Sequence, residues 1–408
     1  MVKSYFSLIS VNAKRLGKNA YGVALVSSLA REAGIANNER EPAGGLRLFL
    51  AGDVMTGRGI DQILPHPAEP RLYEHWAKSA LRYVELAEAA NGPIPRPVAF
   101  AYLWGDAISA VARRRPDLRI VNLETSITRS TTPAPKSINY RMDPDNVGCL
   151  TAFSIDCCVL ANNHVADWGA SGLLDTIEAL HGADITTAGA GRDADDAWAP
   201  AILPFDGGRL IVLSLGSDSS GIPRSWAARA GRAGVALLPD LSDRSLEGVA
   251  AVVGRVKQPG DLALVSIHWG SNWGYAVPAE QRRFAQGLIK SAGIDLVHGH
   301  SSHHPKGVEV HEGKLVLYGC GDFLNDYEGI GGEEEYRPAL TLAYLPELDP
   351  ATGRLESLVM LPFRLAKFQL HTATAEETDW LADMLTREGQ ALGTRVDPEE
   401  DVLRLRWS

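Results

Sequence analysis

The sequence predicts an α/β fold, and three features carry the prediction. Short runs rich in Val, Ile and Leu recur along the chain, helix-like stretches separate several of them, and the runs end in glycine or polar residues. Apolar runs of about four to eight residues read as buried strands, and strands alternating with helices build an α/β domain. With 408 residues, 45% of them hydrophobic, the chain has material for one large core or two smaller ones.

Taken in order, residues 1–45 read as an N-terminal appendage and linker: a helix over 20–33, then a polar stretch over 34–45 punctuated by Gly and Pro. The main domain is expected over 46–370, with strands at 46–51, 118–123, 157–161, 210–215, 262–267, 295–298 and 314–318. Helices are expected over 172–181 and 279–292. Residues 371–408 read as a C-terminal helical extension packed on the domain, with its helix over 374–387.

Composition narrows the function classes. The formal net charge is -10, the acidic residues are dispersed and no basic stripe occurs, so neither nucleic acid nor an anionic membrane is expected as a partner. Cys149, Cys157, Cys158 and Cys320 match neither a zinc ribbon nor a disulfide framework, and read as buried, reduced thiols. No signal-peptide core opens the chain and no run reaches the roughly 20 apolar residues of a spanning helix. A cytoplasmic location is the expectation.

The chemistry lies just past the strand ends. Asp53 follows the first run, Glu124 the second, Asn163 and His164 the third and His268 the fifth, while His298, His300, His303 and His304 cluster at the sixth. Ligands of open α/β sheets bind outside the carboxyl ends of the strands. Singly, each residue has an ordinary alternative: a turn for Asp53, a helix cap for Asn163, a core imidazole for His268. Together, five strand ends offering carboxylate, amide and imidazole groups point to a pair of divalent metal ions held by Asp53, Glu124, Asn163, His268, His300 and His303. With no thiol in the set, the site suits Mn, Zn, Fe, Mg or Ca and is unlike a structural zinc site. Arg58 and Trp273 are candidates for binding substrate, Arg58 through a carboxylate or phosphate and Trp273 from a Gly-rich aromatic segment.

Gly52-Asp53, Asn122-Leu123-Glu124, Asn162-Asn163-His164, Ile267-His268-Trp269-Gly270 and Gly299-His300-Ser301-Ser302-His303 occur in an order that resembles the motif series of the CapA family. That family is named for poly-gamma-glutamate capsule biosynthesis and is a branch of the calcineurin-like metallophosphoesterases. The resemblance runs from about Leu46 to Asp326 and implies a calcineurin-like four-layer sandwich, two mixed β-sheets flanked by helices. It also implies that Glu124 bridges the two metals and that Asp53 and His303 complete one site. Asn163, His268 and His300 would complete the other, and His164 would serve the leaving group as proton donor. Met55 stands where phosphoesterases of this fold usually carry a His ligand, Ser301 where CapA proteins often place a second His, and Asp322 where they often place Asn.

These departures turn the reading away from phosphoester hydrolysis. Two metals can equally stabilise an enolate while a peptide Cα is deprotonated and reprotonated. His164, His304 and Asp322 are the acid–base candidates. The expectation is a metal-dependent isomerase: a peptide epimerase acting at the C-terminal residue of a ribosomal peptide, such as a lasso peptide precursor. The alternatives are a phosphoester hydrolase or CapA-like poly-gamma-glutamate biosynthesis enzyme, and a metal-stabilised peptide-binding protein.

Overall fold

The computed structural model describes residues 45–408, so the helix and linker expected before them lie outside the described residues. Along the chain the first strands are β1 (Leu46–Val54), β2 (Leu118–Leu123), β3 (Cys157–Val159), β4 (Thr186–Ala188), β5 (Ala201–Phe205), β6 (Gly208–Gly216), β7 (Leu262–His268) and β8 (Leu296–His300). They are followed by β9 (Val308–His311), β10 (Lys314–Leu317), β11 (Asp322–Leu324), β12 (Leu340–Leu348), β13 (Leu355–Ala366), β14 (Gln369–Thr372), β15 (Thr394–Glu399) and β16 (Val402–Trp407). The larger sheet has the order β15-β16-β13-β12-β1-β2-β3-β4, with β11 also on β1 and β14 on β13; the smaller has the order β9-β10-β8-β7-β6-β5. Both are mixed: β1 to β4 are parallel neighbours, as are β6, β7, β8 and β10, whereas β12 and β13 run antiparallel.

Side chains alternate across a strand, and that alternation builds the layers. Leu46, Leu48 and Leu50 of β1 enter a core shared with Leu210, Val212, Leu264 and Leu296 of the smaller sheet. Phe49 and Ala51 turn the other way, into a core with Trp104, with Val111 of helix α1 (Ala107–Arg114) and with Leu173 and Leu180 of α2 (Gly169–Gly182). Ile211, Leu213 and Val265 likewise turn outward onto Val249 and Val253 of α3 (Asp243–Val256) and Phe284 and Leu288 of α4 (Ala279–Ala292). Helix, sheet, sheet and helix make the four-layer sandwich that the sequence implies. Truncating one of the inter-sheet leucines to Ala would cost about 2–5 kcal/mol.

The C-terminal segment departs from the expectation of a purely helical extension. Helix α5 (Ala375–Gly389) is present, but the residues after it form the β15–β16 hairpin, which pairs with β13 and extends the larger sheet. Val396, Leu403 and Leu405 are buried in alternation with charged neighbours. Arg406 pairs with Asp397 at 2.9 Å and Arg404 with Glu399 at 2.8 Å, a charged dressing suited to a sheet edge. The β12–β13 pair also escapes sequence reading, because Pro346 and Pro362 inside it argue against strands.

Candidate metal centre

The two sheets bring the expected ligands together at their strand ends. β1 shifts register against β2 between Ala51 and Asp53, an irregularity of the kind that re-aims a side chain. Gly52 permits it: a Cβ there would lie 1.9 Å from the Gly321 carbonyl oxygen, to which the Asp53 N–H donates at 3.0 Å. Asp53 thereby reaches the other sheet. Its Oδ1 lies 3.8 Å from His268 Nδ1 and 3.7 Å from His300 Nδ1, and accepts from Asn122 Nδ2 at 2.7 Å.

Asp53, His268 and His300 offer one ligand atom each within 4.8 Å of one another, and so do Asp53, His303 and Asp322. Glu124 Oε1 lies 3.7 Å from His268 Nε2 and 4.0 Å from His164 Nε2. Asn163 Oδ1 lies 3.0 Å from His268 Nε2. All six expected residues therefore meet. Asp53 is the carboxylate common to these two groups of three, and Asp322 belongs to one of them. Ser301 holds φ at 98°, a strained value for a residue with a Cβ, and its N–H donates to Asp53 Oδ2 at 3.2 Å.

Electrostatics show that the donors fit a cation. Burial pushes the Asp53 carboxyl up to about 8, with Asp322 adding to the effect. Burial, then Asp53 and Asp322, raises Glu124 well above the carboxylate range. His268 and His300 are held far below their ordinary value by burial and by neighbouring imidazoles. Burial also opposes charge on His303, yet the Asp322 carboxylate outweighs it and holds that imidazole above the usual value. Buried carboxyl groups that keep their protons for want of a counter-charge, beside the neutral imidazoles of His268 and His300, are donors that a divalent cation would ionise and bind. Oxygen and imidazole donors without thiolate suit Mn, Zn, Fe or Mg.

A chain of hydrogen bonds decides which nitrogen of His300 faces the centre. The Ala51 carbonyl can only accept, so His298 donates to it through Nε2 at 2.9 Å. Burial pushes the His298 pKa down to about 4, so the ring is neutral and Nδ1 accepts from the Ser266 hydroxyl at 3.0 Å. Ser266 Oγ in turn accepts from His300 Nε2 at 2.8 Å. The lone pair of His300 Nδ1 is left to face His268 Nδ1 at 2.8 Å, with Asp53 Oδ1 beyond it at 3.7 Å. His298 thus orients a candidate ligand through Ser266.

A cavity of about 460 Å³ opens over the centre, and Glu124, Asn163, His164, Ser301, His303 and Trp273 are among its walls. His164 stacks on Tyr140 with ring centroids 3.8 Å apart. Its Nδ1 donates to Asp167 Oδ2 at 2.6 Å, which leaves the Nε2 lone pair toward the cavity. Burial lowers its pKa to about 4, so the ring is neutral near pH 7. Lys136 Nζ pairs with Asp167 Oδ1 at 2.7 Å and donates to the Asn163 carbonyl. Sequence reading alone does not find Lys136, Tyr140 or Asp167. The place of Asp167 one helical turn beyond His164 is the one available signal.

Arg58 and His304 take other places than expected. Arg58 donates to both oxygens of Asp326 at 2.9 and 2.5 Å, to Glu74 at 2.9 Å and to Tyr83 at 2.6 Å. Its fork is filled from within, so it builds the cavity wall and is not a free grip for substrate. His304 stacks on Trp273 and Tyr336, donates Nδ1 to the Pro305 carbonyl at 3.0 Å and is not among the residues lining the cavity.

Residues 47–327 match the family described as bacterial capsule synthesis protein PGA_cap. The chain belongs to that family. Within this capsule-synthesis family it is 48% identical over 359 residues to a probable polyglutamine synthesis accessory protein of Mycobacterium tuberculosis, covering 87% of this chain and 94% of that protein. It is 26% identical over 283 residues to the PGA biosynthesis protein CapA of Bacillus subtilis, covering 69% of this chain and 63% of that one. The capsule biosynthesis protein CapA of Bacillus anthracis is 24% identical over 281 residues, 69% of this chain and 60% of the relative. The CapA-like resemblance and its calcineurin-like fold thus hold for the chain. Among the described residues no helix is long and apolar enough to cross a membrane.

Proposed function

We propose that this capsule-synthesis family member is a metal-dependent accessory enzyme of polyamide synthesis, acting on a glutamate-type polymer. The observation that carries the reading is the pair of ligand groups sharing Asp53 beneath a cavity that also presents His164. Asp53, His268 and His300 would hold one cation, and Asp53, His303 and Asp322 a second, with Glu124 and Asn163 on the cavity side. Cations bound there would polarise an acyl or phosphoryl oxygen and activate water. The chain itself supplies orientation and proton handling. Asp167 fixes the His164 tautomer, Tyr140 fixes its plane, and Nε2 is the atom that accepts or returns a proton at the leaving group.

The epimerase reading gives way for two reasons. The relatives carry names of polymer synthesis. Inversion at a Cα also needs acid–base groups on two faces, and His304 is stacked away from the cavity while Asp322 is tied to His303 and Asn325 at 2.9 Å.

The test uses protein loaded with Mn2+ and incubated with poly-gamma-glutamate or polyglutamine, following chain length by gel filtration and new amino groups. Chelator-sensitive change in the polymer is expected, and His164→Ala should lower its rate about 10²–10⁴-fold while metal content stays intact. Unaltered polymers beside deuterium gain and inversion at a peptide Cα in D2O would restore the epimerase. Turnover of an aryl phosphate alone would make the protein a phosphoester hydrolase.

A further inference from the structure

A second cavity of about 650 Å³ adjoins the metal cavity, and Tyr327, Ile330 and Pro338 line both. One ridge therefore separates them. Ile330 on that ridge is 43% exposed, and Trp76 on the wall of the metal cavity is 54% exposed. An isolated exposed apolar residue is ordinary. Two of them at the lip of a cavity offer a surface to an aliphatic chain.

Beyond the ridge, Ala339, Leu340 and Leu365 provide apolar wall and Arg337 and Arg364 provide charge. The acids there are mostly engaged. Glu328 accepts from Asn91 Nδ2 and from the amides of Lys367 and Phe368. Glu334 accepts from the Gly332 amide, and Glu377 accepts from the Thr374 amide and pairs with Arg364 at 3.4 Å. Glu376 stands exposed in the first turn of α5. Arg337 is half-buried, its guanidinium 4.8 Å from the centre of the Trp380 ring, and no ion pair reaches it from the described residues. Its planar fork is held in place with donors to spare, the arrangement that binds a carboxylate through two parallel hydrogen bonds.

We propose that the protein holds its substrate as an extended, carboxylate-bearing chain laid across both cavities, with Arg337 gripping a carboxylate at least one repeat unit away from the metal centre. This rests on the polymer reading above and narrows it. The ligand is an acidic polyamide longer than a single residue, its aliphatic spacers lying over Trp76 and Ile330.

The full chain loaded with Mn2+ can be titrated by calorimetry with glutamate and with gamma-linked glutamate oligomers of increasing length. Affinity should rise with length in the unaltered protein. Arg337→Ala should weaken binding of the long oligomers about tenfold or more, with glutamate binding, metal content and melting temperature unchanged. Arg337→Glu should weaken it further. Equal affinity at every length, or long oligomers bound as well by Arg337→Glu as by the unaltered protein, overturns the two-cavity proposal and leaves the polymer reading standing. Failure of the unaltered protein to bind any oligomer overturns both.

Discussion

Two buried charge clusters border the same cavity, and the fold completes only one of them. Around Arg58, a single guanidinium meets Asp326 and Glu74, with the Tyr83 hydroxyl filling the remaining contact. Each charged group there has a partner in the chain, two carboxylates sharing the one guanidinium. Around Asp53, three carboxyl groups (Asp53, Glu124 and Asp322) gather with His268 and His300, which burial keeps neutral, and with His303, which pairs with Asp322, while the Lys136 ammonium is engaged by Asp167. The first cluster is a finished ion-pair network. The second is the one whose donor atoms could hold a cation. The difference teaches where to look for function: among buried ionisable groups, those the fold leaves unbalanced mark the site, and those it balances mark the scaffold.

The largest expected effect tests the balanced cluster. Arg58→Met leaves Asp326 and Glu74 buried without a counter-charge and should cost about 3–5 kcal/mol of stability in denaturant unfolding. A cost below about 1 kcal/mol would mean the network is not closed as described.

Asp53→Asn probes the unbalanced cluster and should behave in the opposite way. Metal affinity, measured by competition with a chromophoric chelator, should fall at least about 100-fold, since a ligand matters no less than the groups that orient it. Stability of the metal-free protein should change by less than about 1 kcal/mol, because with its pKa near 8 Asp53 is largely protonated at pH 7. A large loss of metal-free stability would erase the contrast with Arg58.

The hydrogen-bond chain behind His300 comes next. Ser266→Ala breaks the link from His298 and should lower metal affinity about 10–100-fold, with the His300 tautomer changed in 15N spectra. Unchanged affinity would show that His300 does not need the chain.

The smallest effect is a pH dependence with a definite sign. Metal binding must displace the Asp53 proton and the proton that Asp322 favours on His303, so affinity should rise with pH by up to about tenfold per unit for each proton displaced and flatten above about 8. His268 and His300 are already neutral in this range and add nothing. A midpoint near the ordinary histidine value would mean that imidazole protons, and not the carboxyl, oppose the metal.

Much of the fold is legible because its signals are local. The apolar run at Leu118–Leu123 and the amphipathic stretch at Ala279–Ala292 become β2 and α4 with the boundaries their patterns suggest. The β12–β13 pair and the β15–β16 hairpin are hidden, the first by its prolines and the second by heavily charged edge strands. The candidate site is legible for a related reason: parallel strands deliver their C-terminal residues to one edge, so Asp53, Glu124, Asn163, His268, His300 and His303 can be picked out one strand at a time. Lys136 and Tyr140 lie in the loop between Ile127 and Arg141, where no periodicity marks them.

By itself the sequence determined the α/β class and the candidate metal-binding residues, since hydrophobic period and strand-end residues are properties of neighbours along the chain; the layers followed from the family resemblance. Tertiary structure alone decided which groups are balanced. Arg58 looks like an open grip until Asp326, 268 residues away, fills it. His298 is one of four clustered histidines until the Ala51 carbonyl, 247 residues away, gives it the place of a support for His300. Asp53 belongs to two candidate ligand groups because β11 sets Asp322 beside it. Charge compensation falls off with distance through space and with solvent access, and neither quantity is written in the order of residues.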